Sequence, residues 1–298
     1  MRVSELDSAQ PRSRRVAIGT FDGVHLGHRE VIRGSDTVIT FDPHPLVVVA
    51  PHALPKLIDT LAIKRDLIAA LGVEEMVVIR FDERFARQAA EDFVRDVLID
   101  RLGATHVSVG ENFRFGSRAR GDAALLGRSP EFETTVVALV EADGETVSSS
   151  RIRALVGAGE VGPAARLLGR SYALEGIVVH GDGRGRELGM PTANIVPDDA
   201  LVHPGHGVYA ALAEHAGGTH VAAVNVGVRP TFDTGRGLLV EPHLLDFSGD
   251  LYGGSLRLHF LERLRGERRF DSVEELVVQM RADVDAARRI ASATVLSR

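Results

Sequence analysis

The sequence of 298 residues contains no cysteine, so disulfide bonds and cysteine-ligated metal sites are excluded. It also lacks any apolar run near the ~20 residues that a membrane-spanning helix needs, and no segment of signal-peptide type opens it. Positive charge is not in excess, since the net charge is −6 at pH 7 and the isoelectric point is about 6.1. A nucleotide or phosphate would therefore have to be held by a local site. These absences predict a soluble cytoplasmic protein that binds neither membranes nor nucleic acid.

The residues that are present predict two domains with proper cores. Apolar residues make up 44% of the chain and charged residues 26%, which is typical of a globular protein, and the length favours two domains over one. In the first half, short apolar and β-branched runs alternate with helical patterns, which predicts a parallel sheet buried on both faces. Ligands bind outside the carboxyl ends of such strands. The predicted strands are 14–21, 36–42, 74–81, 105–110 and 134–140, and the predicted helices are 59–72 and 89–103.

After about residue 168 the pattern changes to strand-like runs with frequent glycine and proline and little helix between them. This texture predicts an antiparallel meander closed as a small barrel, with a hairpin turn at Gly217-Gly218. A helix over 272–290 follows, because Ser272 and the glutamate three residues later form a capping-box pattern. Two helical patterns over 148–169 would bridge the halves. The expected division is a first domain over 1–168 and a second over 169–298.

The first informative motif is "DGVHLGH", Asp22 to His28, which follows the first predicted strand. Gly23 and Gly27 let the backbone approach a ligand, and the next helix offers unpaired N–H groups with partial positive charge. His25 and His28, three residues apart, can face one anion and stabilise charge that develops on a phosphate. The alternative is a pair of surface histidines at a helix cap.

Four motifs in order over residues 14–155 carry a family resemblance. "TFDGVHLGH" has the H-x-G-H signature of nucleotidyltransferases, and "TFDPHP", "VGENFRFG" and "SSSRIR" accompany it. Together they resemble the adenylyltransferase half of prokaryotic bifunctional riboflavin kinase/FAD synthetases. The resemblance implies a Rossmann-like nucleotidyltransferase domain in which His25 and His28 hold ATP phosphates and stabilise the transition state. It also implies that Ser149, Ser150 and Arg153 close on the β- and γ-phosphates.

Further site residues follow from the same resemblance. Asn112 and Arg114 would be polar contacts of the flavin and nucleotide pocket, with neighbouring phenylalanines as packing. The chain departs from the family at three places: Asn112 replaces the common aspartate, Ser150 replaces threonine, and the segment after His28 is short, which indicates a shortened first helix. Both replacements keep a hydrogen-bonding group. The resemblance also assigns nucleotide binding in the first motif to Gly19, Phe21, Asp22 and Gly23.

The second informative stretch is "GDGRGRELGMPTAN", which begins at Gly181. Its glycines form a loop of phosphate size, but the spacing is not that of a dinucleotide-binding loop, and a glycine-rich hairpin is the alternative. Thr192 and Asn194, two residues apart, lie on one face of a strand and offer oxygen ligands for Mg²⁺, which keeps several waters. Downstream, Glu241 lies in an apolar strand, where a carboxylate is either a satisfied edge residue or a general base.

Together with "NVGVRPTF" and "EPHLLDFSGDLYG", this stretch resembles the riboflavin kinase module over roughly 170–290. The resemblance implies that Glu241 accepts the proton of the riboflavin 5′-hydroxyl as it attacks the γ-phosphate of ATP. Thr192 and Asn194 would bind Mg²⁺ and phosphate. The loop residues assigned to nucleotide binding are Gly181, Gly183, Gly185 and Arg186.

The function expected from both halves is flavin cofactor synthesis. ATP would phosphorylate riboflavin to FMN, and a second ATP would adenylylate FMN to give FAD and pyrophosphate. One alternative is a nucleotidyltransferase for another small phosphate substrate, which leaves the second half without a role. The other is a flavin-binding protein with a degenerate adenylyltransferase site. The sequence does not indicate an oligomeric state.

Overall fold

A computed structural model describes residues 1–181, 185, 189–228 and 238–296. The chain forms two compact units, Met1–Ser149 and Ser150–Arg298. Among the helices in these described ranges, none has the length and apolar character needed to cross a membrane.

The first unit is built on a six-stranded parallel sheet with the strand order β1-β4-β3-β2-β5-β8. Two small antiparallel pairs, β6 with β7 and β9 with β10, lie outside it. The strands are β1 (Arg2–Glu5), β2 (Arg14–Ile18), β3 (Thr37–Asp42), β4 (Glu75–Arg80), β5 (Ala104–Gly110), β6 (Arg114–Phe115), β7 (Gly121–Asp122), β8 (Glu133–Val137), β9 (Glu141–Ala142) and β10 (Glu145–Thr146).

The central strands of this sheet are buried on both faces, as the apolar runs predict, whereas the edge strands β1 and β8 are largely exposed. In β2, Val16 and Ile18 belong to one apolar cluster, whereas Ala17 between them belongs to another that includes Ile32 and Ile68. Helices pack on the sheet through these clusters. The α-helices are α1 (Leu26–Ile32), α2 (Leu46–Val49), α3 (Leu61–Ala70), α4 (Glu83–Ala86), α5 (Ala90–Asp92) and α6 (Ala123–Leu126), and short 3-10 turns cover Leu6–Ser8, Pro51–Ala53 and Ser117–Ala119.

Two elements of the first unit differ from the sequence expectation. Strand β1 extends the sheet beside β4, although its four residues carry two charges and no strand pattern. The helix predicted over 89–103 begins as α5 and continues over Phe93–Arg101 in the wider π form, in which the Leu102 N–H reaches back to the Val97 carbonyl. Periodicity alone does not distinguish these two helical windings over so few turns.

The second unit is a closed six-stranded barrel with the order β11-β12-β15-β14-β13-β16, all pairs antiparallel. The predicted hairpin is present, but its two turn residues are Ala216 and Gly217, because His215 already pairs with Gly218. Helix α7 (Ser149–Ala158) begins at the last residue of the first unit and continues into the second. The other elements of the second unit are α8 (Val161–Leu168), β11 (Tyr172–Val179), β12 (Asn194–Pro197), β13 (Gly207–His215), β14 (Gly218–Val228), β15 (Leu238–Leu244), β16 (Ser255–Arg265) and α9 (Val273–Leu296).

The C-terminal helix α9 begins where the capping-box pattern predicts. The Ser272 hydroxyl accepts a hydrogen bond from the Glu275 N–H at 3.2 Å, and the Glu275 carboxylate accepts one from the Asp271 N–H at 3.4 Å. The helix runs to Leu296, six residues beyond the predicted end at residue 290. The chain past residue 290 contains no proline or glycine that would stop a helix, which explains the difference.

Candidate active sites

The first candidate site is the turn between β2 and α1, at the carboxyl edge of the parallel sheet. Its backbone is unusual, since Phe21, Gly23 and Val24 have φ values of 49°, 91° and 38°. Phe21 and Val24 are each only 1% exposed, so packing holds non-glycine residues in the left-handed region. Gly19 is needed for space, because a Cβ there would lie 3.0 Å from the Phe21 ring.

The two histidines of the motif are in direct contact. Their rings stack with centroids 3.5 Å apart, and the His25 Nδ1 accepts a hydrogen bond from the His28 backbone N–H at 3.3 Å. His25 is therefore the N-cap of α1. The buried Nδ1 of His28 has no hydrogen-bond partner within the residues that the structure describes. His25 thus caps the helix, while the Nδ1 of His28 is left to bind a ligand, so the two interpretations of the pair do not exclude each other.

The surroundings of His28 favour the neutral form of its ring. Burial lowers the pKa of His28 well below its usual value, and the neighbouring His25 and Lys64 lower it further. His28 is the third residue of α1, so its ring lies in the first turn of the helix. An incoming polyphosphate would bring negative charge to this helix start, where backbone N–H groups and the imidazoles are the available donors.

Asp22 orders the turn and connects it to a later motif. Its Oδ1 accepts hydrogen bonds from the Ile58 and Asp59 backbone N–H groups at 2.9 and 3.4 Å. Its carbonyl accepts one from the Ser149 hydroxyl at 2.8 Å. The first serine of α7 therefore contacts the histidine turn, and its role toward the phosphates stays a prediction.

The other serine-motif residues lie further along α7. Ser150 is exposed, and the Arg153 guanidinium donates to the Ser150 hydroxyl at 3.4 Å. These two residues form one polar pair, one helical turn apart on the same face. Their roles toward the β- and γ-phosphates stay predictions.

Asn112 and Arg114 follow β5, which neighbours β2 in the sheet, so they share the carboxyl edge with the histidine turn. Both side chains are exposed, and Arg114 donates to the Phe113 carbonyl at 3.0 Å. Phe115 is buried in the core and stacks on Phe113 with centroids 5.5 Å apart. Phe115 is thus a packing residue, and the roles of Asn112 and Arg114 toward flavin and nucleotide stay predictions.

The second candidate site lies on the barrel. Ile195 pairs with Val240, and the Ala193 N–H donates to the Pro242 carbonyl at 2.9 Å, so Asn194 stands opposite Glu241 on adjacent strands. Directly opposite side chains share one face of an antiparallel sheet. The structure therefore brings together the predicted base and one predicted metal ligand.

The glycine loop approaches these ligands closely. A Cβ on Gly181 would lie 2.0 Å from the Asn194 Nδ2, and one on Gly185 would lie 3.1 Å from the Thr192 Oγ1. Only glycine permits such approaches without movement of the neighbours. Gly183 and Arg186, which were also assigned to this loop, lie outside the described residues.

Two further residues of these sites were not predicted from the sequence motifs. Asn225 pairs directly with Glu241 from the other side, so Asn194, Glu241 and Asn225 form one row across three strands. An asparagine within an otherwise apolar run was the signal for it. Lys64 is buried below the histidine turn, but it resembles any helix-surface lysine in the sequence.

The two sites define the class of the protein. A parallel sheet with an imidazole pair at a helix start is suited to nucleotidyl transfer, and a barrel carrying a carboxylate beside oxygen ligands and a glycine loop is suited to phosphorylation of a hydroxyl. The chain is thus a two-part phosphorus-group transferase.

Comparisons with known proteins identify the family. The FAD synthetase model matches residues 7–151, and the riboflavin kinase model matches residues 168–291. Bifunctional riboflavin kinase/FMN adenylyltransferases are 36% identical to this chain in Listeria monocytogenes, over 90% of the chain and 89% of the relative, and in Escherichia coli K12, over 96% and 95%. The chain belongs to the bifunctional riboflavin kinase/FMN adenylyltransferase family.

One solved structure is similar to nearly the whole chain. The protein titled macrolide-efflux protein from Streptococcus pneumoniae superposes with a TM-score of 0.88 at 32% identity, covering 97% of this chain and 99% of that one. The family membership makes this chain an enzyme with two activities, the phosphorylation of riboflavin and the adenylylation of FMN. FMN and FAD are accordingly its products, and FMN is also a substrate.

Proposed function

We propose that the two activities use the two separate sites described above, with ATP as the donor in both. Adenylylation is assigned to the histidine turn of the first unit, and riboflavin phosphorylation to the Glu241 row of the barrel. The observation that carries the assignment is the row itself, in which Asn194 and Glu241 meet on adjacent strands. The division of labour at residues 1–168 and 169–298 remains part of this proposal.

In the first reaction, the riboflavin 5′-oxygen attacks the γ-phosphorus of ATP, and ADP leaves. Glu241 accepts the hydroxyl proton, for which its half-buried position beside the buried Pro242 provides a sheltered site. Most of the rate enhancement in phosphoryl transfer comes from positioning and charge compensation. Asn225, as the direct neighbour of Glu241, is placed to orient its carboxylate.

In the second reaction, a phosphate oxygen of FMN attacks the α-phosphorus of ATP, and pyrophosphate leaves. His28 and His25 hold the phosphates at the start of α1, where developing negative charge is stabilised. Ser149, held by the Asp22 carbonyl, together with Ser150 and Arg153 would contact the leaving pyrophosphate. Gly19, Phe21 and Gly23 shape the turn around the nucleotide, and Asn112 and Arg114 border the flavin pocket.

Mg²⁺ fits the residues of the barrel site. Asn194 is 7% exposed, and its Oδ1 has no hydrogen-bond partner in the part of the chain that the structure describes. In that same part, no group of three or more His, Cys, Asp or Glu residues could form an all-protein cage. Mg²⁺ commonly binds through few protein oxygens and the substrate phosphates. Thr192 and Asn194 would hold the ion, which neutralises phosphate charge when bound.

The proposed reactions are tested by incubating the protein with riboflavin, ATP and Mg²⁺ and following FMN and FAD by chromatography. We expect FMN to appear first and FAD with pyrophosphate to follow. Removal of Mg²⁺ with EDTA should stop FMN formation, and added Mg²⁺ should restore it. Bound flavin with no consumption of ATP would instead support a flavin-binding protein. The cytoplasmic location stays a prediction from the sequence.

A further inference from the structure

Lys64 is a buried cation that the reactions above do not use. It lies in the first turn of α3, on the same face as the buried Ile63 and Ile68, and only 8% of it is exposed. A lysine at this position gains nothing from the helix dipole, which disfavours positive charge near a helix start. Burial of an ammonium group is also costly unless it is paired and hydrogen-bonded. Its placement therefore needs a reason outside the helix.

The ammonium group of Lys64 holds the backbone of the histidine turn. Its Nζ donates a hydrogen bond to the Thr20 carbonyl at 2.7 Å. The hydroxyl of Thr40, which is fully buried in β3, donates to the same carbonyl at 3.2 Å. Two donors thus fix the peptide that enters the left-handed Phe21. The Phe21 ring in turn contacts the His28 ring edge-on, with centroids 5.4 Å apart.

Lys64 is also the counter-charge of the aspartates around the turn. Burial lowers the pKa of Lys64, whereas Asp22, Asp59 and Asp42 act in the opposite direction. Asp22 and Asp59 are each 2% exposed. Without the cation, two buried carboxylates would face a site that has to accept a polyphosphate. Burial and His25 lower the pKa of His28, and the positive charge of Lys64 lowers it further.

We propose that Lys64 is a positioning residue of the adenylyltransferase site, whose buried charge and hydrogen bond to Thr20 hold the histidine pair ready for a polyphosphate. The proposal rests on the assignment of adenylylation to the histidine turn. Lys64 acts through Thr20 and Phe21 on geometry, and directly on the charge of the site. It does not need to touch the substrate.

The test compares Lys64→Met with Lys64→Arg and Thr40→Val. Lys64→Met removes the charge and the donor, Lys64→Arg keeps a positive charge, and Thr40→Val removes the second donor to Thr20 without changing charge. We expect Lys64→Met to lower kcat/KM for FMN adenylylation by up to about 100-fold, because a misplacement of about 1 Å can cost that much. Lys64→Arg should restore most of the activity. Riboflavin phosphorylation, measured in the same samples, should stay unchanged in all three.

A second readout separates charge from packing. The titration of the His28 ring, followed by NMR and assigned with His28→Ala, should move to higher pH in Lys64→Met, because a nearby positive charge is lost and the aspartates remain. It should stay in place in Thr40→Val, which leaves the charges unchanged. Where Lys64→Met does not fold, Lys64→Gln serves in both assays, since it keeps a donor and loses only the charge.

Two results would overturn the proposal. One is normal adenylylation with an unshifted His28 titration in Lys64→Met or Lys64→Gln, and the other is an equal loss of activity in Thr40→Val and Lys64→Met. His28→Ala separates a wrong role for Lys64 from a wrong assignment of adenylylation to the histidine turn. If His28→Ala retained adenylylation, the site assignment would be wrong, whereas loss in His28→Ala with normal Lys64→Met would reject only the role of Lys64.

Discussion

At the scale of single residues, the histidine turn depends on glycines that leave room for rings. Gly27 lies inside α1 with ordinary helical geometry, so its backbone does not require glycine. A Cβ there would lie 3.3 Å from both the Cε1 and the Nδ1 of His25. The His25 ring, and not the backbone conformation, therefore favours glycine at position 27.

Gly27→Ala should lower activity far more than it changes stability. Alanine is favoured over glycine in a helix by about 1 kcal/mol, which offsets the cost of displacing the His25 cap, so the unfolding temperature should change little. The added methyl group should displace His25 and lower FMN adenylylation severalfold, while riboflavin phosphorylation stays normal. Gly157→Ala is the matched control, because a Cβ at that helical position meets no atom within 4 Å. Equal adenylylation in the two variants would contradict the role of Gly27.

Motifs in the sequence single out the candidate site residues but not the residues that support them. His25 and His28 stand in one short pattern and stack on each other in the structure, and Asn194 and Glu241 stand in two others and lie opposite each other on adjacent strands. Their roles in the reactions stay predictions. Lys64 has no such pattern, because its role comes from a contact with a residue 44 positions away in the chain. Long-range contacts of this kind are specified by the packed fold rather than by neighbouring residues.

At the scale of elements, a buried ion pair connects strands of the parallel sheet at their amino ends, opposite the edge that carries the histidine turn. Arg14 at the start of β2 is fully buried, and its Nη2 lies 3.1 Å from the Oε2 of Glu75 at the start of β4. Arg2 and Ser4 of β1 also contact this carboxylate, at 2.8 and 2.7 Å. These contacts explain how β1 joins the sheet without an apolar strand pattern.

Glu75 should make the stability of the first unit depend on acid. Burial alone would raise the pKa of Glu75, but hydrogen bonds from Ser4, Arg2 and Arg14 hold it at about 2, below the usual 4.5. The stabilisation is therefore present above pH 4.5 and is lost as the pH falls toward 2. Glu75→Gln should remove this acid dependence and cost about 3–5 kcal/mol near neutral pH, because Arg14 stays buried without its partner.

The measurement is denaturant unfolding of wild type and variant across that pH range. Glu83→Gln is the control, since its ion pair with Arg87 joins side chains that are 79% and 75% exposed. It should change the unfolding free energy by less than about 1 kcal/mol. A similar small change in Glu75→Gln would show that the buried pair does not stabilise the sheet.

The element pattern was predictable where periodicity is strong and not where elements are short. The five apolar strands of the first unit and the barrel runs are confirmed. The four central strands of the sheet each bury several residues, whereas β8 at the edge is mostly exposed. Strand β12 is only four residues long, and β1 also has four, so neither carries a usable period. Their places come from pairing with β15 and β4. The short α1, seven residues long, agrees with the brief segment after His28.

At the scale of the whole molecule, two folds with different chemistry are joined in one chain. The change in texture near residue 168 predicted this composition, and both family models match their expected halves. The central claim is that each activity depends on its own residues, so that FMN made at the barrel site becomes a substrate for the histidine turn.

The most direct test measures FAD formed from riboflavin and ATP by Glu241→Gln, by His28→Ala, and by an equal mixture of the two. Each variant alone should form no FAD, since Glu241→Gln lacks the base for phosphorylation and His28→Ala lacks the phosphate-holding imidazole. The mixture should form FAD, because His28→Ala releases FMN that Glu241→Gln adenylylates. If the folded variants form no FAD when mixed, or either one alone still forms it from riboflavin, the assignment of two separate sites is contradicted.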